Sequence, residues 1–255
     1  MEKLYLALFF IFGSIMGSFY HVLATRLSKG LSIITPASHC EKCNHKLRWY
    51  ELIPIISYII QGGKCRHCKK LLPFDLFTSE LFCGILFVFS YLIYGYSYEF
   101  FIFLILSSLA IIIFISDFKY MIILDSSLVV SGILIIILKY IYFGYKAVLF
   151  SLAAGFVCFL VMLLVAFIGK LMYKREALGG GDIKLSFVIG ITLGIKLSMV
   201  ALIFSTFLAL PYALATIVLK KDNEVPFGPF IVASFLIVFL YMDKFENIVR
   251  LFTFI

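Results

Sequence analysis

Apolar runs dominate the pattern of this chain, and short polar breaks divide them into lengths that match a bilayer. The runs lie near Leu4–Ala24, Leu76–Tyr94, Phe100–Ser116, Ile122–Tyr142, Val148–Leu171, Ile183–Ile195, Leu197–Leu219 and Phe227–Tyr241. Crossing the hydrocarbon takes about 20 apolar residues per helix. The pattern therefore predicts about eight transmembrane helices, with the short sixth run reaching the seventh across Gly194 and Lys196. The first run is too long for a secretory h-region, Glu2 offsets Lys3, and no A-x-A site follows before Arg26, so it is expected to be a retained anchor. No internal repeat or low-complexity tract interrupts the pattern.

Composition narrows the class. Of 255 residues, 63% are hydrophobic and 14% charged, and the mean hydropathy is +1.10. Soluble domains carry about 25% charged residues. The expectation is an all-α integral membrane protein.

Charge placement predicts its orientation. The only long polar stretch, 26–75, holds Arg26, Lys29, Lys42, Lys46, Arg48, Lys64, Arg66, Lys69 and Lys70 against Glu41, Glu51 and Asp75. Positive charge collects on the cytoplasmic side. That places the stretch inside and the N-terminus outside. Alternation then puts three more connections inside: Asp117–Asp125, Lys170–Lys184 with Lys174 and Arg175, and Lys220–Glu224. The opposite turns, Gly95–Glu99 and Gly144–Lys146, are short and poor in charge. The net charge of +8 is thus assigned to topology and anionic lipid, not to nucleic acid. Three regions follow: a first helix over 1–25, a cytoplasmic region over 26–75, and a helical core over 76–255.

The cytoplasmic region carries Cys40-Glu41-Lys42-Cys43 and Cys65-Arg66-His67-Cys68, two C-x2-C pairs with 21 residues between Cys43 and Cys65. The arrangement is close to a zinc-ribbon spacing, in which each knuckle offers two thiolates to one tetrahedral ion. A reducing compartment favours metal over disulfide. A small loop with few aliphatics also needs the stability a structural Zn2+ supplies. His39, His45 and His67 are expected beside the metal, not on it. Cys83 and Cys158 fall within apolar runs and read as ordinary buried residues.

Two aspartates stand where a membrane protein holds them least easily. Asp117 ends the third run, and Asp182 closes Ala177-Leu178-Gly179-Gly180-Gly181-Asp182 before the sixth. An ionisable group at a hydrocarbon boundary costs several kcal/mol unless paired, hydrated or used. The predicted topology brings both to the cytoplasmic side on different helices. Two carboxylates that share a proton can hydrolyse a peptide without a serine or cysteine nucleophile: one activates water and the other protonates the leaving amine. Gly179, Gly180 and Gly181 lack a Cβ and leave room beside Asp182. Blander readings stand next to these: Asp182 as the N-cap of a new helix, Asp117 paired with Lys119. Lys184, two residues after Asp182, suits either a partner for an aspartate or a side chain snorkelling to the interface. Trp49 and Tyr50 suit an interfacial anchor or plain loop packing.

Taken together, the residues resemble the type IV prepilin peptidases. Gly13-Ser14 and Gly17-Ser18-Phe19 before Arg26-Leu27 are similar to the family's first helix. The cysteine pairs flank Leu47-Arg48-Trp49-Tyr50-Glu51-Leu52-Ile53-Pro54, and Ser57-Tyr58 follow. Asp117 and Asp125 resemble its paired-aspartate element, Gly179–Asp182 its G-x-G-D, and Pro226-Phe227-Gly228-Pro229-Phe230 its P-F-G-P-F. The chain departs at Glu41 and at Leu124, where the family often has proline. The resemblance implies a membrane aspartyl endopeptidase with Asp117 and Asp182 as the catalytic pair and Asp125 in support. It implies prepilin or pseudopilin substrates, each with a basic leader and an apolar helix, in the bacterial cytoplasmic membrane. Cleavage after a glycine would occur at the inner face, and N-methylation of the exposed residue from S-adenosylmethionine would follow. No G-x-G-x-x-G fingerprint marks a site for that donor.

Rival readings make different predictions. A proton-coupled transporter would favour mid-helix acids and an inverted repeat. A non-catalytic zinc-ribbon adaptor would be indifferent to Asp117 and Asp182. An intramembrane G-x-G-D protease of the presenilin kind lacks the cysteine knuckles and the N-terminal glycine-serine element.

Overall fold

The structure is a computed structural model that describes residues 2–174, 178–219 and 225–253. Arg175, Ala177 and the connection Lys220–Glu224, on which the sequence reading drew, lie outside the described residues. Among the described residues the fold is all helical and has no strand longer than an isolated bridge. The helices are α1 Glu2–Leu27, α2 Ile56–Ile60, α3 Phe74–Tyr94, α4 Tyr98–Tyr120, α5 Asp125–Tyr173, α6 Gly180–Val218, α7 Gly228–Leu240 and α8 Met242–Thr253. Five of them (α1, α3, α4, α5 and α6) are long and apolar enough to cross a membrane. The number becomes six if α7 and α8, bent by 88° at their junction, form one span.

α5 and α6 each contain two of the apolar runs. Both are broken at a glycine in a backbone region that other residues scarcely enter: Gly144 at φ 76°, ψ −179° and Gly194 at φ 74°, ψ 175°. Across the first break, Lys139 Nζ donates to Ser151 Oγ at 2.8 Å and to the Thr192 carbonyl at 3.2 Å. A straight helix would hold residues 139 and 151 about 18 Å apart. Across the second break, Ser198 Oγ reaches the Ile189 carbonyl at 3.1 Å, where a straight helix would require about 13 Å. The chain therefore folds back on itself at each glycine. The sequence pattern located both breaks without showing how tight they are.

The chain divides into two compact units, Met1–Phe100 and Phe101–Ile255. In the first, α1 packs on α3 backbone to backbone. A Cβ at Gly17 would lie 2.5 Å from the Ser79 carbonyl, and one at Gly13 would lie 2.7 Å from that of Cys83. Small residues four apart let apolar helices approach this closely, so dispersion replaces the missing hydrophobic drive. Gly13 and Gly17 thus have a packing reason for their place in the sequence. Cys83 is fully buried at this contact.

In the second unit, the latter part of α5 meets the start of α6 through Gly155 and Gly190, where a Cβ at Gly190 would come within 2.6 Å of the Gly155 Cα. Phe103, Leu106, Ile113 of α4 and Val232 and Phe235 of α7 form the buried interior. Phe103 meets Phe239 at a tilt, and Phe118 meets Tyr212 and Phe230 edge to face. α8 was not anticipated. Its apolar residues Met242, Phe245, Ile248 and Val249 repeat at helical spacing among Asp243, Lys244, Glu246 and Arg250, and such a helix suits a membrane–water interface.

Glycine should be required at both folds. Gly144→Ala and Gly194→Ala are each expected to destabilise the protein by roughly 1–3 kcal/mol, seen as a lower unfolding midpoint in detergent. An unchanged midpoint in both variants would contradict the tight reversals.

Candidate active site and metal centre

Asp117 occupies the last turn of α4 and is only 6% exposed. The Gly228 N–H, at the start of α7, donates to its Oδ2 at 3.0 Å across 111 residues of sequence. Pro229 follows at the first helical positions, where its missing N–H costs nothing. A Cβ on Gly228 would lie 2.9 Å from Asp117 Oδ2 and 2.8 Å from Ile123 Cδ1, so only glycine lets this amide meet the carboxylate.

Asp182 lies in the first turn of α6 and is 7% exposed. Gly179 is the residue that caps this helix, and no side chain performs the capping. The N-cap reading of Asp182 is therefore set aside. Among the described residues, its Oδ1 is buried without a hydrogen-bond partner. Buried polar atoms are almost always paired, which sets this oxygen apart from the Asp117 Oδ2 that the Gly228 amide meets.

The three glycines before Asp182 have three different surroundings. A Cβ on Gly179 would approach Asp182 Oδ2 to 3.1 Å; Gly180 faces open space; a Cβ on Gly181 would strike the Ile123 Cβ at 2.7 Å. Room beside the carboxylate thus comes from Gly179 and Gly180, while Gly181 serves close packing. Ile123 is the common neighbour: Gly181 presses on it from α6 and Gly228 from α7. Around this side chain the two aspartates are close enough for the charge of Asp117 to act on Asp182.

Asp125 opens α5 and is held by Lys184, whose Nζ lies 2.8 Å from Oδ1 and 2.7 Å from Oδ2. The pair is largely exposed, with the two side chains 52% and 64% accessible. Lys184 thus has an aspartate partner, and that partner is Asp125, 59 residues away in the sequence. Leu124 takes the place of the family's proline with φ −73°, a value that proline itself would adopt. The turn forms without it, through Met121 at φ 53°.

In the first unit the four cysteine sulfurs lie within 4.8 Å of one another. Cys40 Sγ is 3.9 Å from Cys68 Sγ, and Cys43 Sγ is 3.9 Å from Cys65 Sγ. A tetrahedral ion with Zn–S near 2.3 Å sets its sulfurs about 3.8 Å apart, whereas a disulfide needs about 2.05 Å. The cluster therefore fits a metal. The knuckles repeat one backbone design: Cys40 N–H donates to His45 O and Cys65 N–H to Lys70 O, with Asn44 and Lys69 at φ 55° and 59° just past each second cysteine. His45 stacks on His67 at 5.3 Å and sits 3.6 Å from the buried Glu51 carboxylate. His39 bonds the Ala37 carbonyl. The histidines border the cluster as expected. Tyr50 lies under Arg66 at 5.1 Å while Trp49 is exposed.

Electrostatics shows why the thiols need a cation. Burial raises the Cys40 thiol, but the amides of Lys42 and Cys43 with neighbouring thiols outweigh it and bring it down to about 7. At Cys43 the His45 amide works downward, yet burial and the other three thiols push it up to about 12. Four thiolates cannot share this space without positive charge at their centre.

Sequence reasoning missed three polar pairings of the first unit. Glu80, buried in α3, accepts the Ile55 N–H at 2.6 Å. His21 of α1 meets Asp75 at 2.6 Å. Glu51 accepts the Arg48 N–H at 2.9 Å. The only sequence signal was a polar residue within or beside an apolar run.

An all-helical membrane protein that buries two carboxylates at helix ends of its second unit, and gathers four cysteines in its first, defines the class. The chain belongs to the type IV leader peptidase family. Residues 104–214 match that family, and residues 11–94 match the bacterial peptidase A24 N-terminal domain. It is similar to the prepilin leader peptidase/N-methyltransferase of Bacillus subtilis, 36% identical over 250 residues, covering 94% of this chain and 95% of that protein. The protein of the same name from Vibrio cholerae is 32% identical, with 94% and 98% covered. No solved structure matches the chain.

One equivalent of zinc per chain is expected in the purified protein, retained at neutral pH and released on acidification because the ligands are thiolates. Cys65→Ser should lose most of it. Full zinc content in Cys65→Ser, measured by atomic absorption, would contradict the four-sulfur centre.

Proposed function

We propose that the protein removes the leader from type IV prepilins and pseudopilins at the cytoplasmic face of the bacterial inner membrane, with Asp117 and Asp182 as the catalytic pair, and then N-methylates the new terminus. The observation that carries the reading is the burial of two carboxylates, from α4 and α6, next to two glycines, 228 and 181, that both press on Ile123. The whole-length similarity to prepilin leader peptidase/N-methyltransferases supports it.

Hydrolysis in this arrangement uses a water between the carboxylates. One takes a proton from the water as oxygen attacks the scissile carbonyl carbon; the other gives a proton to the leaving nitrogen. The Gly228 amide fixes one oxygen of Asp117, so its second oxygen has a set direction. The orphaned Oδ1 of Asp182 gains its partner from water or substrate. Open space at Gly180 admits an extended peptide. Two like charges brought together titrate as a unit.

Eight spans, with the N-terminus outside, complete the reading. The folds at Gly144 and Gly194 support it by dividing α5 and α6 into antiparallel pairs. Prepilins present a basic leader followed by an apolar helix, and their junction would sit at the level of the aspartates. The Asp125–Lys184 pair ties the start of α5 to the first turn of α6 and so helps hold Asp182. Zn2+ bound by Cys40, Cys43, Cys65 and Cys68 is a structural staple. S-adenosylmethionine supplies the methyl group.

Cleavage of a purified prepilin in detergent tests the pair. Asp117→Asn and Asp182→Asn should each lower the rate by roughly a thousandfold or more. Asp125→Ala should stay within about tenfold, because an exposed ion pair contributes ~0–1 kcal/mol. Normal cleavage by either asparagine variant, folded and loaded with zinc, would remove that aspartate from the mechanism.

A further inference from the structure

The first turns of α6 and α7 differ, although both open beside an aspartate. In α7 every position is accounted for: the Gly228 N–H meets Asp117, Pro229 has none, and the Phe230 and Ile231 N–H groups both reach the Phe227 carbonyl. In α6 the N–H groups of Asp182 and Ile183 turn inward to the Gly179 carbonyl, at 3.1 and 3.4 Å. Those of Gly180 and Gly181 come before them, at positions for which a helix has no internal acceptor. Gly179, at the cap, has no side chain to offer them.

Neither conformation nor packing requires glycine at 180. The residue is helical, outside the left-handed region, and a Cβ there would meet nothing within 4 Å. A bare backbone at such a position suits the close approach of another chain. Gly181, by contrast, is pressed against Ile123, which holds the second amide in place. The Asp182 carboxylate folds back over the same turn. Its Oδ2 lies 3.1 Å from where a Cβ of Gly179 would stand. Its Oδ1, on a residue only 7% exposed, is buried with no hydrogen-bond partner among the described residues. Open backbone donors and an unpartnered buried acid thus share one helix start, which also carries a partial positive charge.

We propose that the Gly180 and Gly181 N–H groups bind the scissile carbonyl oxygen and stabilise the negative charge it gains. The inference rests on the peptidase reading above and adds a catalytic element to it. As the water oxygen bonds to the carbonyl carbon, one carboxylate takes a water proton and the C=O π pair moves onto the carbonyl oxygen, facing the two amides. When that pair returns to re-form C=O, the C–N bond breaks and its electrons pass to the leaving nitrogen, which takes a proton from the other carboxyl. Fixed amides at a helix start stabilise such charge without reorganising during the reaction.

Proline at the first helical position removes an N–H and keeps the helix. The dihedrals of Gly179, φ −68° and ψ 143°, are those that a residue before proline prefers. Gly180→Pro therefore deletes one donor, while Gly180→Ala keeps it and adds only a Cβ. In prepilin cleavage by the zinc-loaded protein in detergent, Gly180→Pro should lower kcat about a hundredfold or more. Gly180→Ala should act mainly on KM, since its Cβ stands in the path of the peptide. Equal kcat in the two variants, both with wild-type unfolding midpoints, overturns the assignment. A second measurement decides even if the proline variant fails to fold. Replacing the scissile carbonyl oxygen by sulfur, a larger atom and a weaker acceptor, should slow cleavage of a prepilin-derived peptide by wild type about tenfold or more. Similar rates for the two peptides overturn the assignment. Both of those outcomes leave Asp117 and Asp182 in place, whereas a wild type that cleaves no prepilin overturns the pair and the amide site together.

Discussion

The hydrogen bond from the Gly228 amide to Asp117 is the contact on which the second unit depends. It joins the end of α4 to the start of α7 across 111 residues, and its length of 3.0 Å is possible only because position 228 has no side chain. The amide is one that a helix start leaves unpaired in any case. Meeting that need with a carboxylate brings ionisable chemistry into an apolar bundle at reduced cost. The same approach brings Gly228 onto Ile123, which then forms the floor on which Gly181 also rests. One contact thus fixes the level at which both aspartates stand.

Glycine elsewhere solves several distinct problems. At 144 and 194 it supplies backbone conformations that fold a long apolar stretch back on itself. At 13, 17, 155 and 190 it lets helices touch through their backbones where the solvent is lipid. At 179 and 180 it leaves space beside a carboxylate. The first unit relies instead on charge held in place by amides and on a cluster of four cysteines. Its Glu80 and Glu51 are buried with backbone partners, and its four cysteines converge to the separation that a tetrahedral ion sets.

What could be read from the sequence was local or repetitive. The apolar runs, the two C-x2-C pairs and the boundary aspartates are short-range patterns, and each appears in the structure where the spacing placed it. Longer-range facts were hidden. Nothing near Asp117 announces Gly228, and nothing near Lys184 announces Asp125, 59 residues away. The resemblance to a family marked Pro226–Phe230 without giving it a task; the structure shows the task to be an amide aimed at a carboxylate. α8 lies outside the apolar runs because a count of apolar residues ignores periodicity, and its apolar residues are interleaved with charged ones. Glu80 also stands inside an apolar run, and by the same reasoning that singles out Asp182 it needs a partner or a use; the structure supplies the Ile55 N–H.

Under the proposed function, Asp117 and Asp182 act together as acid and base. The pH dependence of kcat/KM for prepilin cleavage tests it most directly. A bell-shaped profile with two limbs is expected, since a pair in these roles needs one carboxyl protonated and the other ionised. A rate independent of pH across the stable range of the protein, with substrate binding unchanged, would contradict it.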